Sequence, residues 1–341
     1  MVKARCPGYE RPATGTRRAR HGPVGSRHVR ILVTNDDGVG APGLAALTRA
    51  LVRWTEQAGD GPGSPHDVVV VAPSSNYSGA GAAVGSVTDG TTIGYERATV
   101  EGAAGVEAYG LNASPALSVI VGALGAVGPK PDLVLSGINH GVNVGRSILH
   151  SGTVGAALTA SQLGISALAV SLRAGADPDP WESAADLAVA LLPLLVAAPA
   201  RTVLNLNVPH LPLSDIRGVR WARVSGAGLI KSARGGTATW EAPNPEEMEG
   251  PAAAEAARAV IAGEPGERGE RGEIVLAVGS PFPHGDDLDP DEAGTEDATL
   301  VAQGYAALTA LRGPRAEDDH ELVAQIDAVL DAALDPFAFG D

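Results

Sequence analysis

"ILVTNDDGVGAPG", residues 31–43, is the stretch on which the reading of this chain turns. Gly38, Gly40 and Gly43 spell G-x-G-x-x-G directly after an apolar run, which is the pattern of a dinucleotide-binding turn. Asp36 and Asp37 stand immediately before it, where two negative charges would face an incoming pyrophosphate. Two unit charges about 4 Å apart interact by about 4 kcal/mol at an effective dielectric of about 20. A dinucleotide site also needs an acid at the end of the second strand to hold ribose hydroxyls. Here the second apolar run ends in Ala72-Pro73 and continues as "SSNYSG", with no acid in reach. The glycine pattern is a decoy. Adjacent carboxylates at a strand's carboxyl end suit a hard divalent cation, Mg²⁺ or Mn²⁺. Taken alone, the pair reads equally well as one helix-capping acid and one solvated acid.

Outward from this loop the chain alternates strands and helices. "VRILVT", "HDVVVVAP", "PDLVLSGIN" (131–139), "SALAVSL" (166–172) and "RTVLNLNVP" read as buried strands. "APGLAALTRALVRW", "SGTVGAALTASQLG" and "ESAADLAVALLPLLVAA" read as the helices between them. Continuous apolar strands separated by helices imply an α/β fold, a Rossmann-like, mostly parallel sheet with helices on both faces. Ligands of such sheets sit beyond the carboxyl ends of the strands.

The expected organisation is a disordered basic extension over 1–28 and an α/β core over 29–210. A hairpin or arm region for oligomerisation over 211–311, with a mobile loop at 241–273, and a terminal helix over 312–341 complete it. The first 30 residues hold eight Lys/Arg and one Glu, leaving 17 basic and 39 acidic side chains in the rest. So acidic a body repels the backbone of a nucleic-acid duplex. Its longest apolar stretch, "LAVALLPLLVAA" (187–198), is too short for a membrane span and contains Pro193. A single cysteine, Cys6, excludes an internal disulfide framework and a thiolate metal cluster. With no apolar secretory leader, the expected location is cytoplasmic. The acidic run "DDLDPDEAGTED" has Glu292 and Ala298 where a calcium loop needs Gly and Glu, so it reads as a solvated loop.

Other loops at the same sheet edge carry oxygen ligands. "SSNYSGAG" offers Ser78, and "GINHGVNVG" offers Asn139 and Asn143. "HSGTVGAA" places Ser151, Gly152 and Thr153 at a helix N-terminus, whose free N–H groups make an anion site. Each has a plainer reading as an Asx-turn or a cap. What the plainer readings leave unexplained is that all these loops share one edge.

Together "ILVTNDDGVGAPG", "VVVVAPSSNYSGAG", "PDLVLSGINHGVNVG", "SGTVGAALTASQLGISALAVSL" and "VLNLNVP" resemble the SurE family of metal-dependent 5′/3′-nucleotidases, with a weaker match in "GTEDATLVAQGYAALTAL". The resemblance implies one divalent ion per subunit (Mg or Mn) on Asp36, Asp37, Ser78 and Asn139, with Asp36 and Asp37 also catalytic. It implies phosphate binding by Asn143, Ser151, Gly152 and Thr153. It implies hydrolysis of a small phosphorylated substrate, by default a nucleotide, in a homodimer or homotetramer joined through C-terminal hairpin segments. The chain departs from the family at Leu117, Ser118, Arg146, Ser147, His150 and Thr159, and these changes bear on substrate preference. His140 and His150 flank the site in sequence, and either is a candidate acid for the leaving oxygen. A serine-hydrolase reading fails because no G-x-S-x-G occurs. An aspartyl-phosphate enzyme usually spaces its acids as D-x-D, whereas these are adjacent. A non-catalytic nucleotide-binding protein stays open as the alternative.

Overall fold

The computed structural model describes residues 29–58, 66–226, 230–235, 274–278 and 295–313. The basic extension, the segment 241–273 and all but the first two residues of the expected terminal helix lie outside them.

Strand β1 (Val29–Thr34) is buried at all six positions, as a central strand must be. Its side chains alternate between two cores: Val29, Ile31 and Val33 join one, Leu32 the other. Helix α1 (Pro42–Ala58) follows, with Pro42 at its first position, where a missing N–H costs nothing. The chain continues through β2 (His66–Pro73), β3 (Tyr95–Ala98), β4 (Glu107–Leu111), α2 (Pro115–Ala123) and β5 (Leu133–His140). Then come α3 (Gly152–Gln162), β6 (Ser166–Leu172), α4 (Trp181–Ala190), α5 (Leu192–Ala197) and β7 (Val203–Val208). Edge strand β8 (Val219–Trp221), β9 (Ile230–Gly235), β10 (Ile274–Val278), α6 (Asp297–Ala302) and β11 (Ala306–Leu311) complete the described elements.

Nine strands form one mixed, mostly parallel sheet in the order β3-β4-β2-β1-β5-β6-β7-β11-β8. The six strands from β4 to β7 run parallel; β3 and β11 are antiparallel to β4 and β7. Helices α1 and α4 pack together over one face, and α2 and α3 over the other. Alanines 156, 157 and 160 of α3 face Ala167 and Ala169 of β6, so small side chains rather than aromatics close this layer. From β1 the chain passes to β2 on one side and later to β5 on the other. That reversal of strand order opens a crevice at the carboxyl ends of β1 and β5. Asp36 and Asp37 follow β1 there, and Asn139 and His140 end β5.

Two readings need correction. The expected single helix over 182–198 is two, because Pro193 lacks an N–H and forces a restart in the first turn of α5. The segment "AALTAL", expected in the arm region, is β11 and pairs with β7 inside the main sheet. The arm reading keeps β9 and β10, which pair only with each other as a two-stranded antiparallel ribbon.

Candidate metal and phosphate site

Asn35, fully buried, shapes the acidic loop. Its Nδ2 donates to the Gly38 carbonyl at 2.8 Å and its Oδ1 accepts the Gly38 N–H at 3.2 Å. Gly38 has φ +103°, a conformation L side chains rarely adopt, and its backbone lies against Ser75. The third glycine, Gly43, has no room for a Cβ because the Ile138 carbonyl is there, so it serves helix–strand packing and not a pyrophosphate.

This turn presents the two acids differently. Asp36 is only 3% exposed, and its Oδ1 accepts the Thr153 hydroxyl at 2.6 Å. Burial pushes its carboxyl up, opposed by the Thr153 hydroxyl and by backbone N–H groups including those of Gly152 and Thr153. Asp37 is half-buried and reaches the crevice. Its Oδ2 accepts the His140 N–H at 3.3 Å, and its Oδ1 accepts Asn76 Nδ2 at 3.3 Å. Burial, then the negative charge of Asp36, push the Asp37 carboxyl up to about 6. Two carboxylates share a site that disfavours both charges.

The other expected residues gather around this pair. The loop after β2 is stitched to it, since the Tyr77 N–H donates to the Asp36 carbonyl at 2.7 Å and the Ser78 N–H to Asn76 Oδ1 at 2.7 Å. Ser78 is exposed between these anchors and Gly81, whose N–H donates to the His150 carbonyl at 3.0 Å. Asn139 commits Nδ2 to the Gly141 carbonyl at 2.7 Å, so Oδ1 is the end of its amide left to accept a donor or a cation. Among the described residues no three His, Cys, Asp or Glu side chains cluster as a metal site. The side chains near the acid pair that carry neutral oxygens include those of Ser78 and Asn139.

The expected phosphate residues are more embedded than their sequence implies. Ser151 caps α3, its Oγ accepting the Val154 N–H at 3.1 Å. Gly152 packs on Asp36 so closely that a Cβ would meet Oδ2 at 2.8 Å. Thr153 is fully buried and gives its hydroxyl proton to Asp36 instead of to the crevice. Asn143 is 7% exposed and sits in a polar cluster on the end of the sheet. Its N–H donates to Asn207 Oδ1 at 2.7 Å and its Nδ2 to Ser171 Oγ at 2.8 Å, while its carbonyl accepts Asn205 and Asn207 Nδ2 at 2.9 and 3.1 Å. Of the two histidines, His140 lines the crevice and His150 is exposed beside the Gly81 loop.

Several residues here were missed from sequence. Asn205 and Asn207 had a legible signal, two polar residues at i and i+2 on an otherwise apolar strand. Asp297 is fully buried and accepts three backbone N–H bonds, from Gly145 at 3.0 Å, Ser225 at 3.0 Å and Ala298 at 2.8 Å. Asp179 takes two imidazoles, His140 Nε2 at 3.3 Å and His210 Nε2 at 3.2 Å. No spacing announces that cluster.

The fold thus brings paired acids and a helix N-terminus together at the switch point of a doubly wound α/β sheet. The family described as Survival protein SurE matches residues 31–229, and the chain belongs to that family. It is 36% identical over 229 residues to 5′/3′-nucleotidase SurE of Cronobacter sakazakii, covering 65% of this chain and 82% of that one. It is 40% identical over 198 residues to 5′-nucleotidase SurE of Pseudomonas putida, covering 58% and 71%. The crystal structure of SurE protein from Aquifex aeolicus matches with a TM-score of 0.61 and 26% identity, over 89% of this chain and 100% of that one. By name these curated relatives are phosphoric monoester hydrolases, the enzyme class expected from sequence.

Proposed function

We propose that the protein is a divalent-metal-dependent phosphomonoesterase acting on nucleoside 5′- or 3′-monophosphates or closely related small esters. The observation that carries this is the acid pair: two carboxylates, both pushed up, held by donors from three other loops at the switch point. Such a pair asks for a cation. Asp36, Asp37, Ser78 and Asn139 would hold Mg²⁺ or Mn²⁺, which supplies Lewis-acid polarisation of the phosphoryl group and acidifies a water.

The chain's own residues do the rest. Asp37 faces the crevice and orients the attacking water, while Asp36 is locked by Thr153. The positive end of α3, with Ser151 and Asn143, neutralises the phosphoryl oxygens. With its Nε2 directed at Asp179, His140 stands at the crevice wall, and its Nδ1 is the nitrogen left to protonate the leaving oxygen. The β9–β10 ribbon, separate from the main sheet, suits exchange between subunits of a homodimer or homotetramer. No helix among the described residues is long and apolar enough to cross a membrane.

The test is a phosphomonoester panel assayed after chelation, with and without added Mn²⁺ or Mg²⁺, on the native chain and on Asp37→Asn. Turnover that ignores chelation, or survives Asp37→Asn, sinks the proposal. Tight nucleotide binding without turnover favours the non-catalytic alternative.

A further inference from the structure

We infer that Trp181 is the stacking platform for the substrate's base, and that the site reads the base by its face and not by its edge. This rests on the phosphomonoesterase reading above. A cleft of about 500 Å³ runs from Asp37 along the first turn of α1 to Trp181. That is room for a whole nucleotide, since small-molecule sites span roughly 300–1,000 Å³. The lining is backbone-rich at Gly40, Ala41 and Pro42, and the indole of Trp181 borders the same cleft. Phosphate anchored at the acid pair leaves the rest of its molecule lying along this trench.

The indole is held in place. Trp181 is half-buried and packs against the apolar core below. A Cβ on Gly43 would lie 2.9 Å from indole Cζ3, so glycine there lets the ring seat against α1. The His140 ring lies 5.7 Å from the indole between centroids, tilted by 50°. Two residues before the tryptophan, Asp179 receives His140 Nε2 on Oδ2 and His210 Nε2 on Oδ1. Three loops are thereby tied together behind the platform. An aromatic fixed this way loses little entropy when a planar ligand stacks on it.

The cleft's polar side chains are Asp37, Ser74, His140 and Asp179. Asp37 belongs to the acid pair, His140 faces Asp179, and both oxygens of Asp179 are taken by imidazoles. Little is left to read hydrogen-bonding edges. Stacking accepts any base, because each has a π-face. The expected preference is for nucleotides over non-aromatic phosphate esters, with weak discrimination among bases.

The experiment compares Trp181→Ala, Trp181→Leu and Trp181→Phe with the native chain on adenosine 5′-monophosphate, cytidine 5′-monophosphate and glycerol 2-phosphate. In parallel, adenosine binding is measured by calorimetry. The Ala and Leu variants should raise KM for both nucleotides on the order of 10-fold or more. The ratio of kcat/KM for nucleotide over glycerol phosphate should fall by a similar factor, while Phe retains most of it. Leu keeps bulk without a π-face, so a packing defect is separated from lost stacking. An unchanged ratio in Trp181→Leu overturns the platform while leaving the phosphomonoesterase reading intact. Adenosine binding that needs an aromatic ring at 181, in a protein that hydrolyses no ester, upholds the platform and overturns the activity.

Discussion

Thr153 gives its hydroxyl proton to Asp36 Oδ1 at 2.6 Å from a fully buried position. A threonine in the first turn of α3 thus faces inward, against the first acid of the loop after β1. The contact fixes one carboxylate rotamer and partly offsets the burial that pushes Asp36 up. It also joins the two halves of the site, the acidic loop and the helix N-terminus.

Replacing that hydroxyl tests the joint. Thr153→Val keeps the shape and removes the donor, so the Asp36 carboxyl rises further and holds its proton to higher pH. The acidic limb of the kcat/KM profile should move to higher pH, with activity at pH 7 down roughly 10- to 100-fold, in the range of a lost charge-assisted hydrogen bond of about 1.5–3 kcal/mol. Thr153→Ser should restore both. A profile unmoved by valine would leave the hydroxyl without a role in the site.

Asp37 carries a stability cost that its function explains. Its carboxyl, ordinarily 3.8, stands at about 6 in the metal-free fold, so the folded state binds the proton more tightly than the unfolded state does. Stability from this group is present below pH 3.8 and is lost as pH rises through about 6. Asp37→Asn should therefore stabilise the metal-free protein at pH 7–8 by on the order of 1–2 kcal/mol, after allowing for solvent screening of a half-buried group. The same variant should lose both activity and the thermal shift produced by Mn²⁺. Denaturant melts at pH 4 and pH 8 check the sign: the advantage of asparagine disappears at the lower pH.

Much of this was legible along the chain, and the limits have physical causes. The paired acids, the sheet class and the polar loops at the sheet's carboxyl edge could be read because each is a local feature or a matter of periodicity. Strands β3 and β4 went unread because β3 is a short, largely exposed edge strand without alternation, and β4 begins with a charge and includes a glycine. Thr153 was assigned to phosphate because helix-start hydroxyls usually face ligand; here the turn packs on Asp36, and the Thr153 hydroxyl donates to that buried carboxylate. The His140–Asp179–His210 cluster joins three loops that only the sheet order makes neighbours.

Gly152 is as constrained as any ligand. A methyl there would sit 2.7 Å from Asp36 Cβ and 2.8 Å from Oδ2, so either the carboxylate or the start of α3 must move. Gly152→Ala should cost about 1–3 kcal/mol in stability, as overpacking does. It should cost activity far more, about 100-fold or beyond, because displacing a positioned group by about 1 Å is enough for that. Activity near the native level in Gly152→Ala would mean that Asp36 is not held where the geometry puts it.

Asp297 separates scaffold from chemistry. Its buried carboxylate accepts N–H bonds from Gly145, Ser225 and Ala298, tying the loop after Asn143 to the segment after β8 and to the start of α6. Alanine would strand three donors in the interior, each worth about 1–3 kcal/mol when unsatisfied. Asp297→Ala should lower the melting temperature by at least roughly 6 °C, at about 2–4 °C per kcal/mol for a domain of about this size. Asp297→Asn keeps the shape but trades one acceptor oxygen for a donor, so it should fall between. Since Asp297 neither lines the cleft nor touches the acid pair, kcat measured well below the melting point should stay within a few-fold of native. A collapse of kcat in a still-folded Asp297→Asn protein would show instead that the loop carrying Asn143 must be held to within a fraction of an ångström for phosphate to bind.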